Sequence, residues 1–227
     1  MTNAPDFADR PAAGRRLATR ILALQLADPI VLALPRGGVP VALPVAKALG
    51  APLDLVLVRK IGAPGHPEFG IGAVVDGANP QVILNEEIVA QLDVSPAYIA
   101  EQARRELVEL ERRRSRYLGG RAPLDIAGRN VVLVDDGIAT GGTVKAALAG
   151  IALARPSRLV LAIPVAPREA IDELKSKTDD IICLSTPEPF HAVGLHYADF
   201  AQTSDEEVIA LLDEARRRVA QEARGPE

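Results

Sequence analysis

Apolar positions along this chain alternate between two rhythms. Short, almost wholly apolar runs at Ile30 to Leu34, Leu53 to Val58, Val131 to Val134, Arg158 to Val165 and Asp180 to Leu184 read as buried strands. Between them lie longer stretches with helical spacing: Arg15 to Leu26, a segment from the Gly37-Gly38 turn to Leu49, Ser95 to Leu118, Thr143 to Leu153, Pro167 to Lys175, and the tail from Ser204. Strands and helices taken in turn predict an α/β fold with a central parallel sheet flanked by helices. Pro40 suits the first turn of its helix, whereas Pro44 falls deeper and is expected to kink it.

The segment between the second and third of these strands breaks the alternation. Gly62, Pro64, Gly65 and Pro67 make Ile61 to Phe69 a loop, expected to be mobile. Ile71 to Val75 and Gln81 to Leu84 read as paired strands across the turn Asp76-Gly77-Ala78-Asn79. The helix from Ser95 has a capping serine, Pro96 at its first position and Gly119-Gly120 to stop it. Ala100, Ala103, Leu107, Leu110 and Tyr117 share one of its faces. Its charged run from Glu111 to Arg116 reads as a solvated face, with Glu101–Arg105 and Glu109–Arg113 paired at i,i+4. With no linker to divide it, residues 1–227 form a single domain, with an inserted segment at about 76–124 and a C-terminal hood and helix at about 185–227.

Composition narrows the function classes. With a net charge of −4, the chain lacks the clustered excess of Lys and Arg that phosphate-backbone binding requires, so nucleic acid is not expected as a partner. The most apolar segment, Ile30 to Leu49, is broken by Arg36, Lys47, two glycines and three prolines, which excludes a membrane span. Met1 to Arg10 carries two Asp and a Pro before any apolar stretch and does not read as a leader, so a cytoplasmic protein is expected. The single cysteine, Cys183, sits in an apolar run and reads as a buried structural thiol. No His, Cys and carboxylate spacing matches a zinc site.

The stretch that carries chemistry is Val131-Val132-Leu133-Val134-Asp135-Asp136-Gly137-Ile138-Ala139-Thr140-Gly141-Gly142-Thr143. A buried parallel strand ends in two carboxylates, followed by a Gly- and Thr-rich turn that opens a helix. Ligands of open α/β sheets bind at that edge. Free N–H groups at a helix start, with glycines allowing close approach, cradle a phosphate. Two carboxylates just ahead of such a cradle would repel a phosphate directly, but they can accept hydrogen bonds from sugar hydroxyls. A ligand with a 5′-phosphate and a 2′,3′-diol satisfies both features.

The pattern of four apolar residues, two acids, a short spacer and Thr-Gly-Gly-Thr resembles the phosphoribosyl pyrophosphate (PRPP) motif of type I phosphoribosyltransferases. The resemblance implies the Rossmann-like fold of that family and transfer of phosphoribose from PRPP to a nitrogen nucleophile. It implies that Asp135 and Asp136 bind the ribose and stabilise charge at the anomeric carbon, and that Ala139, Thr140, Gly141, Gly142 and Thr143 bind the 5′-phosphate. Pro35-Arg36-Gly37-Gly38 is similar to the family's pyrophosphate loop, where a non-proline cis peptide is common, and Pro35–Arg36 is the matching bond. Arg36, Gly37, Gly38, Arg59 and Lys60 would then contact pyrophosphate, with Arg36 and Lys60 counted with the acid pair as catalytic. Gly62 to Phe69, with His66 and Glu68, would be the loop that closes over the reaction. The resemblance also implies Mg²⁺ held through PRPP and water rather than by direct protein ligands, and a homodimer.

Three features depart from the family pattern. Ala139 stands where the hypoxanthine and guanine enzymes carry an Asp that serves the base, so no general base is assigned. The insertion is absent from the minimal fold, and the hood does not align. Val193-Gly194 with Asp199-Phe200 is similar to the hypoxanthine–guanine hood only one residue out of register. Phe190, His191, His196, Tyr197 and Asp199 are the candidates to meet an acceptor, each with ordinary packing or solvation as the alternative. A purine, a pyrimidine and a non-nucleobase amine all remain open as acceptors, a purine being placed first. A PRPP-binding regulatory module is the rival reading. A phosphohydrolase fits less well, because Gly137 occupies the place of a second Asp, and no kinase P-loop pattern is present.

Overall fold

A computed structural model describes residues 5–222. The first four residues, part of the stretch read above as no leader, and the last five lie outside the described residues.

Helix α1 (Arg10–Leu22) precedes strand β1 (Pro29–Ala33), and helix α2 (Gly38–Leu49) leads to the short strand β2 (Leu53–Leu55). Strands β3 (Val58–Ala63), β4 (His66–Val75) and β5 (Gln81–Leu84) follow, then helices α3 (Glu86–Gln91) and α4 (Pro96–Leu118). The chain returns through β6 (Asn130–Val134), α5 (Gly142–Leu153), β7 (Arg158–Val165), α6 (Arg168–Leu174) and β8 (Asp180–Ser185) to α7 (Asp205–Glu222).

Five strands form a parallel sheet in the order β2-β1-β6-β7-β8, and β3-β4-β5 form a separate antiparallel sheet. The apolar runs are buried on both sides, as parallel strands covered by helices must be. Val31, Ala33, Val132 and Val134 pack with α1, α2 and α7, while Ile30, Leu32, Val131 and Leu133 pack with α5 and α6. Alternate residues thus serve the two layers. Among the described residues no helix is long and apolar enough to cross a membrane.

Several expectations are corrected. Helix α1 starts at Arg10 rather than Arg15, because the Asp9 side chain accepts a hydrogen bond from the Ala12 N–H at 2.6 Å and Pro11 occupies the first turn. Helix α2 continues past Pro44. Gly14 of α1 lies so close that a Cβ there would fall 2.3 Å from the Val41 carbonyl oxygen and 3.2 Å from Pro44 Cγ. The run Leu53 to Val58 is not one strand: pairing with β1 ends as β2, and Val58 opens the antiparallel sheet.

The expected loop Ile61 to Phe69 is a β-hairpin. Ile61 and Ala63 point inward, and only Pro64-Gly65 turn, with Gly65 at φ +75°. Gly62 permits the close pairing, since a Cβ there would lie 2.3 Å from the Pro67 carbonyl oxygen. The paired strands read at Ile71 to Val75 and Gln81 to Leu84 are present, with Val75 opposite Gln81.

Helix α4 has the expected Ser95 cap and Gly119 stop, and its Glu101–Arg105 and Glu109–Arg113 pairs form at 2.8 and 2.9 Å. Its buried face is Ala103, Leu110, Arg114, Tyr117 and Leu118, while Ala100 is exposed. Arg114 is the exception to the solvated charged run. It is buried and reaches Asp54 at 2.8 Å and Asp76 at 2.7 Å, anchoring α4 to the edge of the parallel sheet. Cys183 is half-buried, and its thiol donates to the Ser185 carbonyl oxygen.

Candidate functional site at the edge of the parallel sheet

The sheet order defines one crevice. From β1 the chain crosses through α2 to β2 on one side, and from β6 through α5 to β7 on the other. The carboxyl ends of β1 and β6 therefore flank the topological switch point, the place where open α/β sheets hold ligands. Two of the segments singled out in the sequence emerge there side by side, with the Leu34 N–H donating to the Val134 carbonyl oxygen at 3.0 Å. The Pro35–Arg36 peptide after β1 is cis.

The glycines of the first turn press against the acids of the second. A Cβ on Gly37 would fall 2.0 Å from Asp136 Oδ2, and one on Gly38 would fall 2.8 Å from the Val134 carbonyl oxygen. Any side chain at Gly37 would occupy the place of the carboxylate.

The two acids have different surroundings. Asp135 Oδ1 accepts from the Asp136 N–H at 2.9 Å. Burial, followed by the charge of Asp136, pushes the Asp135 carboxyl well above the usual carboxylate range. Asp136 Oδ2 accepts from Arg10 Nε at 2.8 Å, and its carbonyl oxygen accepts from the Tyr197 hydroxyl at 2.6 Å. The Tyr197 phenol is raised far above its ordinary value, first by burial and then by Asp136.

Beyond the acids, Gly137 at φ +155° packs where a Cβ would meet Val193 at 2.5 Å, so hood and acid loop are in contact. Ile138 is buried, while Ala139, Thr140, Gly142 and Thr143 are exposed. Gly141 sits at φ +73° as the cap of α5, and no side chain caps that helix. The N–H groups of a helix's first turn have no intrahelical partners, which leaves those of α5 facing outward at the mouth of the crevice.

Arg59 and Lys60 are neighbours on β3 and so point to opposite faces. Lys60 lines a cleft of about 660 Å³ with Gly142, Thr143 and Lys145 at the start of α5. Arg59 turns instead to α4, where its Nε pairs with Glu106 at 2.6 Å. Arg36 extends toward α4 and α7, with Nη1 3.8 Å from Asp205 Oδ1, in a cleft of about 300 Å³ shared with Arg112, Arg113, Arg116 and Tyr117. A hydrogen bond from Tyr117, then the charges of Arg116 and Arg36, hold the Asp205 carboxyl below its usual range. His66 and Glu68 lie at the exposed tip of the hairpin.

The hood residues divide. Tyr197 is buried against the acid loop. His196 stacks on Phe190 with centroids 5.8 Å apart and has Nδ1 2.9 Å from Asp6 Oδ2. His191 and Asp199 are exposed, and Asp199 Oδ1 accepts from the Ala201 N–H at 3.0 Å. Among the described residues no group of three or more His, Cys, Asp or Glu side chains is placed to hold a metal ion.

Arg10 is the residue at this site that sequence reasoning did not find. It is 126 positions from Asp136 and belongs to no local motif.

The family model described as "Phosphoribosyl transferase domain" matches residues 6–198. A Mycobacterium tuberculosis relative that carries phosphoribosyl transferase in its name is 44% identical over 215 residues, covering 95% of this chain and 48% of its own length. The chain thus spans about half the length of the curated relatives it matches. A shorter stretch of 42 residues, 18% of this chain, is 60% identical to 23% of the bifunctional protein PyrR of Chloroflexus aurantiacus. The crystal structure of TT1426 from Thermus thermophilus superposes with a TM-score of 0.82 at 45% identity, covering 92% of this chain and 98% of that one.

Proposed function

Because the chain belongs to the phosphoribosyl transferase domain family, we propose that it transfers the phosphoribosyl group of PRPP to a nitrogen nucleophile. The observation that carries this reading is the acid pair Asp135-Asp136, set against the Gly37-Gly38 turn at the switch point and followed by the uncapped start of α5. In the reaction the bond from C1 of the ribose to the pyrophosphate oxygen breaks as the acceptor nitrogen forms a bond to C1, and the proton of that nitrogen passes to water or to the departing pyrophosphate.

Asp136 accepts hydrogen bonds from the ribose hydroxyls, and its negative charge stabilises the cationic character that develops at C1. Asp135 holds the loop by accepting from the Asp136 N–H. Ala139 to Thr143 and the first turn of α5 cradle the 5′-phosphate, and Lys60, expected from the resemblance at the pyrophosphate, is assigned to the 5′-phosphate instead because it shares the cleft at the start of α5. Arg36, Gly37 and Gly38 receive the pyrophosphate. The hairpin bearing His66 and Glu68 closes over the bound substrate and excludes water.

Mg²⁺ fits this arrangement as an ion held by PRPP oxygens and water, because each acid already gives one oxygen to the protein and the free oxygen of Asp136 is assigned to the ribose. When bound, it would supply neutralisation of the leaving pyrophosphate. The acceptor is a nucleobase, a purine placed first, and the protein is taken as a cytoplasmic homodimer.

One observation favours a second reading, a PRPP-binding regulator with little turnover. Arg59, a cation expected at the pyrophosphate, is paired with Glu106 instead. A pyrophosphate-release assay with PRPP, Mg²⁺ and a panel of purines, pyrimidines and amines separates the two. Release with one acceptor supports the transferase, and PRPP binding without release for any acceptor supports the regulator.

A further inference from the structure

The N-terminal segment does more than lead into α1. Its Phe7 N–H donates to the His196 carbonyl oxygen at 3.0 Å, and the N–H groups of Ala198 and Asp199 donate to the Phe7 and Ala8 carbonyl oxygens at 2.8 and 2.9 Å. The Phe7, Tyr197 and Phe200 rings pack in series, with centroids 5.3 and 5.0 Å apart. Segment and hood are thereby stitched together over the acid loop.

Arg10 projects from this assembly. Its Nη1 donates to the Ala201 carbonyl oxygen at 2.7 Å, and its guanidinium carbon lies 3.9 Å from the centre of the Phe200 ring. The remaining side of the planar fork presents Nε to Asp136 Oδ2 at 2.8 Å, with only 10% of the Arg10 side chain and 17% of the Asp136 side chain exposed. A guanidinium held on three sides has little freedom, so the carboxylate it binds is held as well. Tyr197, from the same assembly, grips Asp136 by its carbonyl oxygen.

We propose that Arg10 is a positioning residue for the sugar: with one Asp136 oxygen occupied, the other is aimed at the ribose hydroxyls. This rests on the phosphoribosyl transfer reading above. It adds that a residue on α1, and through it the hood, sets the affinity for the ribose. A charged buried hydrogen bond of this kind shapes only the ligands that touch Asp136. On the same reading inorganic pyrophosphate contacts the β1 turn rather than Asp136 and lies outside its reach.

The test is calorimetric titration of wild type, Arg10→Gln and Arg10→Lys with PRPP plus Mg²⁺, with ribose 5-phosphate, and with inorganic pyrophosphate plus Mg²⁺. Arg10→Gln is expected to weaken PRPP and ribose 5-phosphate by roughly ten- to a hundredfold, the range of a lost hydrogen bond to a charged group, and to leave pyrophosphate unchanged. Arg10→Lys, which keeps the charge without the fork, recovers part of the loss. Should Arg10→Gln fail to fold, Phe200→Leu removes only the ring beneath the guanidinium and is expected to weaken ribose 5-phosphate in the same direction, again sparing pyrophosphate. Unchanged or tighter ribose 5-phosphate binding in the variants would overturn the proposal, as would an equal loss for pyrophosphate. Failure of the wild type to bind PRPP at all would overturn the transferase reading and this proposal with it.

Discussion

Gly37 packs so closely on Asp136 that a Cβ on the glycine would lie 2.0 Å from the carboxylate oxygen that Arg10 holds. The turn after β1 and the acids after β6 therefore pack against each other at the switch point, the turn proposed for the pyrophosphate and Asp136 for the ribose.

Gly37→Ala tests that contact directly. Gly37 has an ordinary helical φ of −62°, so alanine brings no backbone strain and acts only by displacing Asp136. The expected result is a protein of unchanged secondary structure whose affinity for PRPP falls about tenfold or more, the scale of a broken charged hydrogen bond. Circular dichroism and calorimetry together report it.

Arg114 sits between Asp54 and Asp76, each paired to it at 2.8 Å or less. Removing the arginine leaves two carboxylates buried without their counter-charge. Arg114→Met is expected to destabilise the fold by about 3–5 kcal/mol, as buried pairs do when one partner is lost. Replacing Asp54 and Asp76 by Asn in the same chain should recover much of that, and urea unfolding of the two variants measures both.

The half-buried Asp135 gives stability a pH dependence of definite sign. Its folded pKa is raised, chiefly by burial, so its protonated form is favoured by the fold. Its contribution is fully present below the unfolded value of about 3.9 and is lost as pH rises from there through the raised folded value. Asp135→Asn keeps an oxygen to accept from the Asp136 N–H and carries no charge. Its thermal midpoint should exceed that of the wild type, by a margin that widens from acid to neutral pH. A wild-type advantage at neutral pH would contradict the assignment.

Arg59 and Lys60 should separate in function as they do in space. Lys60 shares a cleft with Thr143 and Lys145, whereas Arg59 is held by Glu106. Lys60→Ala is expected to weaken ribose 5-phosphate binding severalfold, as loss of one phosphate-facing charge does, with a smaller effect at higher salt. Arg59→Ala should leave it unchanged, and titrations at two ionic strengths distinguish the two.

What was legible in the sequence was what local patterning specifies. Four of the five strand runs and the capped α4 declare themselves within a dozen or so residues and stand in the structure where the pattern put them, whereas the run Leu53 to Val58 divides between β2 and β3. The acid pair and the Gly-Thr turn are equally local signals. What was not legible depends on distant partners. Arg114 looks like any member of its charged run until Asp54 and Asp76 surround it. Glycines and prolines at 62–67 read as a loop, yet Gly62 is what lets β3 and β4 approach so closely. Adjacent positions 59 and 60 looked like one cationic patch, and pleating sent them to opposite faces. Arg10 carried no signal at all, because its role arises from the hood folding back across the chain.

The most direct test of the central claim is calorimetric titration of PRPP in the presence of Mg²⁺ into the wild type and Asp136→Asn. The account predicts saturable binding to the wild type, weakened at least about tenfold in the variant by loss of a charged acceptor. Equal binding by both proteins, or none by the wild type, would contradict it.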